Sequence, residues 1–231
     1  MKKVLALTAL AVASTSVFAG SSYVTGNVQF HDSYLQGAKQ TSTLEAGHTF
    51  DSNTTLLVEI DAIPLGKVED GKANPLPFTT LGVEQVFNLS DNLWVAAGYH
   101  HLVQAGESFQ YRPLVKIGYN FDNGLSLSNR TRHHIQADDV RGGEKTNDET
   151  RLDNKIAYAF ADQDLAISYN NVYVIKQGDA KNSMDHELRA TWTRTGVQPY
   201  LEFRSQAHGP KDAQGDSIVN NALVFGASYG F

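Results

Sequence analysis

The sequence has no cysteine, and only six of its 231 residues are prolines. The absence of cysteine excludes a disulfide framework, a Cys-ligated zinc site and a thiol nucleophile. Beyond residue 19, no segment reaches the roughly 18 consecutive apolar residues that a membrane-spanning helix requires. The hydrophobic content of 41% excludes wholesale disorder, and the formal net charge of −6 argues against nucleic acid as a partner.

The N-terminus carries the pattern of a secretory signal peptide. Two lysines precede an apolar run over residues 4–12, and the sequence VFA, which ends at Ala19, resembles a small-residue cleavage site. The apolar run is too short for a transmembrane anchor, which needs about 20 apolar residues. We therefore predict a signal peptide over residues 1–19 and one exported domain over residues 20–231.

The rest of the chain alternates large apolar residues with small or polar ones. On a β-strand the two alternating sets lie on opposite faces. A soluble β-sandwich also alternates, with its apolar set forming the core. Long segments whose apolar face ends in a pair of aromatic residues are instead typical of an outer-membrane barrel. Such pairs are Tyr119 with Phe121, Tyr158 with Phe160, and Tyr229 with Phe231.

Short connections rich in turn-forming residues alternate with longer ones, two of which are predicted over residues 32–40 and 103–107. An even number of strands joined in this way predicts an all-β fold, a 12-stranded antiparallel transmembrane β-barrel. A barrel of that size has an opening on the order of 10–12 Å, enough for one extended sugar chain. The predicted strands are 22–31, 41–50, 54–62, 77–88, 92–102, 108–121, 124–135, 149–160, 164–175, 185–194, 197–206 and 221–231.

The inward face of the sixth to eighth predicted strands is rich in basic residues. The planar guanidinium of arginine matches a carboxylate, so a series of such residues along a pore predicts a path for anions. The alternative is that these residues pair with inward acids and only stiffen the wall, since charged lumens are normal in barrels. The basic residues are Arg112, Lys116, Arg130, Arg132, His134, Arg151 and Lys155, and the predicted inward acids are Glu45, Glu59, Glu84, Asp153, Glu187 and Glu202.

Residues 111–121, YRPLVKIGYNF, and residues 125–132, LSLSNRTR, resemble consecutive strands of the oligogalacturonate-specific porin (KdgM) family. The resemblance implies a monomeric 12-stranded outer-membrane channel for acidic oligosaccharides, lined by tracks of arginine and lysine. Members of that family tend to have a basic residue in the first strand, where residues 29–34 of this sequence read QFHDSY. The binding residues that the resemblance implies are Arg112, Lys116, Arg130, Arg132, Arg151, Lys155 and Arg189.

The predicted function is therefore passive uptake of acidic oligosaccharides across a bacterial outer membrane, with membrane lipid and lipopolysaccharide around the barrel and no cofactor. Galacturonate, alginate and sialate oligomers all carry carboxylates, so the sugar stays open. Two alternatives are a barrel enzyme of the protease or phospholipase type and a structural barrel with a closed lumen. The chain offers no catalytic set for the first. Its paired histidines, 100–101 and 133–134, point to opposite faces of a strand and cannot chelate one metal ion.

Overall fold

The structure is a computed structural model that describes residues 20–35, 37–66, 68, 76–138, 145–211 and 217–231. The predicted signal peptide, residues 1–19, lies outside these residues. Within them, no helix is long and apolar enough to cross a membrane.

Antiparallel β-strands make up the regular structure of the described chain, and from β1 to β11 each strand pairs with the next one in sequence. The strands are β1 (Gly20–Leu35), β2 (Ala38–Phe50), β3 (Thr54–Leu65), β4 (Phe78–Asn88), β5 (Leu93–Gln104), β6 (Glu107–Asn120), β7 (Leu125–Gln136), β8 (Glu149–Phe160), β9 (Leu165–Lys176), β10 (Ser183–Trp192), β11 (Gln198–Lys211), β12 (Ser217–Val219) and β13 (Ala222–Gly230).

The sheet closes on itself into a barrel because β13 pairs with both β1 and β11. At the seam, Ser22 and Phe231 exchange backbone hydrogen bonds of 2.8 and 2.9 Å. The short β12 pairs with β11 beyond the end of β13, so β12 and β13 together occupy one strand position. The thirteen strands thus fill twelve positions, and the predicted 12-stranded antiparallel barrel is confirmed.

Two connections that the sequence analysis predicted to be long are tight turns. β1 runs to Leu35 and β2 starts at Ala38, while β5 and β6 are joined by Ala105 and Gly106 alone. Ala105 and Gly106 have positive φ, 55° and 85°, as a two-residue hairpin turn requires. The prediction of residues 32–40 and 103–107 as loops was wrong because strand pairing continues past the predicted strand ends, to Leu35 with Ala38 and to Gln104 with Glu107. In β1 the apolar alternation stops earlier than the pairing, since the consecutive residues Asp32 and Ser33 are both polar.

The outer face of the barrel is apolar, and the inner face carries the polar side chains. On β6, the outward residues Tyr111, Val115 and Tyr119 are all exposed, whereas inward residues such as Gln110 and Leu114 are buried. The aromatic pairs predicted at one rim lie next to the short turns. The ring centroids of Tyr119 and Phe121 are 4.7 Å apart. An apolar band between aromatic residues is the surface of a membrane barrel.

Arginine at the middle of this band is expected to impair assembly. Val115 is 58% exposed and lies midway between Tyr111 and Tyr119 on the outer face. Val115→Arg should therefore cost about 2–4 kcal/mol of folding free energy in a bilayer, measured by urea titration of the heat-modifiable band on gels. The control is Ser128→Arg, which adds the same side chain to the inner face at a nearby level. Equal losses for the two variants would show that the faces are assigned wrongly.

Candidate functional site

Several large side chains of the inner face lie along the wall of the lumen instead of crossing it. Each lies over a glycine of the neighbouring strand, where a side chain would occupy the same space. A Cβ atom at Gly118 would be 2.2 Å from the indole ring of Trp94, and one at Gly226 would be 2.1 Å from the ring of Tyr200. The glycines therefore let bulky residues line the lumen without filling it.

Asp153 of β8 joins two of the predicted basic residues. Its Oδ2 accepts a hydrogen bond of 2.8 Å from Nε of Arg130, the residue paired with it across β7 and β8. Its Oδ1 accepts bonds of 2.9 and 2.8 Å from Nε and Nη2 of Arg151. One buried carboxylate thus orients two guanidinium groups, and each keeps unused N–H donors.

Glu84 of β4 makes the equivalent connection to β6. Its side chain passes over Gly98, which has no Cβ to block it. One carboxylate oxygen pairs with Nζ of Lys116, and the other lies 3.0 Å from Nε2 of His100. Lys116 is therefore neutralised by a residue two strands away.

Glu202 of β11 is 2% exposed at its side chain and holds a third cluster. Its two oxygens each accept a 2.5 Å hydrogen bond, from Nε of Arg189 and from Nε of Arg204. The guanidinium of Arg189 also lies 4.1 Å from the ring centroid of Tyr200. Arg204 was not among the predicted residues, although its place two residues after Glu202 puts both on one face of the strand.

Three of the predicted basic residues form no ion pair with any acid in the described part of the chain. Nε of Arg112 donates to Oε1 of Gln110 at 2.7 Å, and Nε of Arg132 donates to Nε2 of His134 at 2.8 Å. Lys155 is the third, and it lines the lumen on β8. The wall formed by β6, β7 and β8, which we call the basic wall, therefore keeps three cations outside any ion pair with the described acids.

The inward acids of β2 and β3 are bound by hydroxyl groups instead of by cations. The Tyr23 hydroxyl donates to Glu45 at 2.7 Å, and the Thr43 hydroxyl donates to Asp61 at 2.5 Å. Glu59, paired in register with Glu45, interacts electrostatically with Arg112 and Arg132 of the basic wall. Glu187 of β10 is a further inward acid outside an ion pair among the described residues, and it accepts a hydrogen bond of 2.9 Å from Asn170. Asp61 shares a face with Glu59 in the predicted strand and was also missed.

A cavity of about 340 Å³ occupies the half of the lumen near the short turns. Four of the seven predicted sugar-binding residues line this cavity. The other three lie on β6, β7 and β8, nearer the long loops. The lining includes Trp94, Lys116, Arg130, Lys155, Arg189 and Ser128. The three outside it are Arg112, Arg132 and Arg151.

The paired histidines divide between the two faces, as the alternation predicted. His100 faces inward to Glu84, while Nε2 of His101 contacts the Ser108 hydroxyl at 2.9 Å. His134 faces inward to Glu149, while Nδ1 of His133 contacts the Thr150 hydroxyl at 3.0 Å. Neither pair converges on one point.

Comparison with known proteins gives matches in family and in fold. A family model described as oligogalacturonate-specific porin protein (KdgM) matches residues 14–212. The NanC porin superposes with a TM-score of 0.70 at 14% identity, over 89% of this chain and 98% of that one. The KdgM porin gives 0.65 at 16% identity, and its complex with disordered oligogalacturonate gives 0.66 at 16%, each over 90% of this chain and 99% of the other. No curated protein matches in sequence.

Proposed function

The chain belongs to the oligogalacturonate-specific porin family, and we propose that it carries acidic oligosaccharides passively along its basic wall. It is a bacterial outer-membrane β-barrel, and its family and fold are those of a channel rather than an enzyme. The observation that carries the proposal is the set of three cations on β6, β7 and β8 without an acid partner in the described chain: Arg112, Arg132 and Lys155.

The ion-paired basic residues of the lumen can also bind a carboxylate as it moves along the pore. Arg130 gives only its Nε to Asp153, which leaves both terminal nitrogens able to donate to a solute. Arg189, paired with Glu202 in the same manner, has the same capacity. We propose that binding is weak at many points, with Lys116 and Arg151 completing the set, because a solute must leave each point as readily as it enters.

The remaining parts of the proposal rest on the N-terminal sequence and on the outside of the barrel. Export with loss of residues 1–19 rests on the two lysines, the apolar run and the small-residue ending at Ala19. The twelve strand positions close on one chain, so a monomer, as proposed, needs no second subunit to complete its barrel. The outward apolar side chains form the surface that membrane lipid and lipopolysaccharide would cover.

The proposal is tested in planar bilayers containing the purified protein. We expect the reversal potential under a KCl gradient to show a preference for anions. Trigalacturonate added to one side should block the current transiently, whereas the neutral maltotriose, a chain of the same length, should block it far less. A pore that prefers cations, or one that both sugars block equally, would contradict the proposal. Absence of any conductance would favour the closed structural barrel.

A further inference from the structure

Trp94 presents a flat aromatic surface to the cavity near the short turns. Its indole lies directly over Gly118, with ring atoms 2.2 to 2.7 Å from the position that a Cβ would take there. Its Nε1 atom is buried without a hydrogen-bond partner among the described residues. The part of the ring that lines the cavity is therefore carbon, and it offers a π face rather than a hydrogen-bond donor.

Lys155 lines the same cavity and forms no ion pair within the described chain. Around it, Lys116, Arg130 and Arg189 are each paired with a carboxylate. Lys155 is therefore the one cation of this lining outside an ion pair among the described residues, while Glu187 and Glu202 of the same lining attract it at longer range. An anionic group that enters the cavity is expected to settle on Lys155.

An aromatic face and a free cation in one cavity match the two surfaces of a uronate unit. One side of a pyranose ring presents C–H groups, which carry partial positive charge and pack on the negative face of an aromatic ring. The carboxylate at the ring's edge then pairs with an ammonium. The cavity of about 340 Å³ lies within the range of small-molecule sites, which begins near 300 Å³.

We propose that this cavity is a sugar-binding subsite at the short-turn end of the pore, where Trp94 stacks on a pyranose ring and Lys155 binds its carboxylate. This inference rests on the proposed function, because the subsite is a place in the channel where a uronate unit of the transported sugar binds. Ser126, Ser128 and Asn120, which also line the cavity, supply neutral hydrogen-bonding groups for the sugar hydroxyls.

The sequence offers a direct spectroscopic test because it contains two tryptophans. Trp192 lies on the outside of the barrel, 51% exposed, with Arg194 over its ring. In the Trp192→Phe protein, the fluorescence of Trp94 alone should change saturably as trigalacturonate is added. Maltotriose should produce the same change only at a concentration about tenfold higher, because it lacks the charge-assisted bond to Lys155.

Substitutions at two residues identify the subsite. Lys155→Gln in the Trp192→Phe background should raise the half-saturating trigalacturonate concentration about tenfold. Trp94→Phe leaves only Trp192 as a fluorophore, and its emission should not respond to the sugar. In the otherwise native protein, Trp94→Ala should shorten the trigalacturonate block about threefold, and Trp94→Phe should restore part of it, because phenylalanine keeps an aromatic face.

The outcomes separate this inference from the proposed function. If trigalacturonate blocks the native pore but leaves Trp94 fluorescence unchanged, the subsite is overturned and the channel function stands. The subsite is also overturned if maltotriose acts at the same concentration as trigalacturonate, or if Lys155→Gln changes nothing. If trigalacturonate neither blocks nor permeates the native pore, the proposed function itself fails.

Discussion

Replacing Arg112 and Arg132 together by glutamate is expected to turn the pore toward cations and to slow the passage of trigalacturonate about 30-fold. These two arginines are cations of the basic wall without an ion-pair partner in the described chain, and both interact with Glu59 on the opposite wall. Reversing one charge at 4 Å from a solute carboxylate changes their interaction energy by about 2 kcal/mol even at the dielectric constant of water. A narrow lumen with low-dielectric walls strengthens the effect.

The measurement is the reversal potential under a KCl gradient, together with trigalacturonate flux into liposomes. The matched control is Lys145→Glu with Lys181→Glu, which makes the same change in net charge on exposed loops at the long-loop end. Water and salt screen those charges within about 8–10 Å, so the control should shift the reversal potential little. A double lumen variant that keeps the native reversal potential would end the anion-path hypothesis. So would an equal shift in the control.

Asp153→Asn is expected to move selectivity in the opposite direction, toward anions. The substitution keeps the shape of the side chain but removes the charge that holds Arg130 and Arg151. Both guanidinium groups then present uncompensated charge to the lumen. Breaking a fully buried ion pair costs about 3–5 kcal/mol, but these arginine side chains keep 29% and 27% exposure to the lumen, so the loss of stability should be smaller.

This substitution separates the two interpretations of the inward charges. If the arginines only stiffen the wall, Asp153→Asn should lower the unfolding temperature and leave ion selectivity unchanged. If they carry solute, the reversal potential should shift toward anions and the trigalacturonate block should lengthen, in protein that still assembles. Asp162→Asn, the same substitution in an exposed short turn, is the control and should alter neither property.

Much of the lumen's chemistry could be located from the sequence, but its pairing could not. Strand parity puts Arg130 and Asp153 on inward faces, yet only the register of β7 against β8 sets them directly opposite each other. Glu84 reaches Lys116 across an intervening strand, and the path exists because Gly98 leaves room. Interactions between distant strands depend on the closure and stagger of the barrel, which local alternation does not encode.

The sequence by itself determined the fold class, the strand count and the face on which most residues lie. It does so because membrane lipid and a polar lumen impose opposite demands on alternate residues of every strand. The tertiary structure decided how far the strands extend, because strand pairing continues past the segments in which the apolar alternation is clear. It also decided which cations stay free, since Lys116 and Arg130 have the same sequence signature as Lys155 and Arg132. What differs is whether a carboxylate from another strand lies within reach.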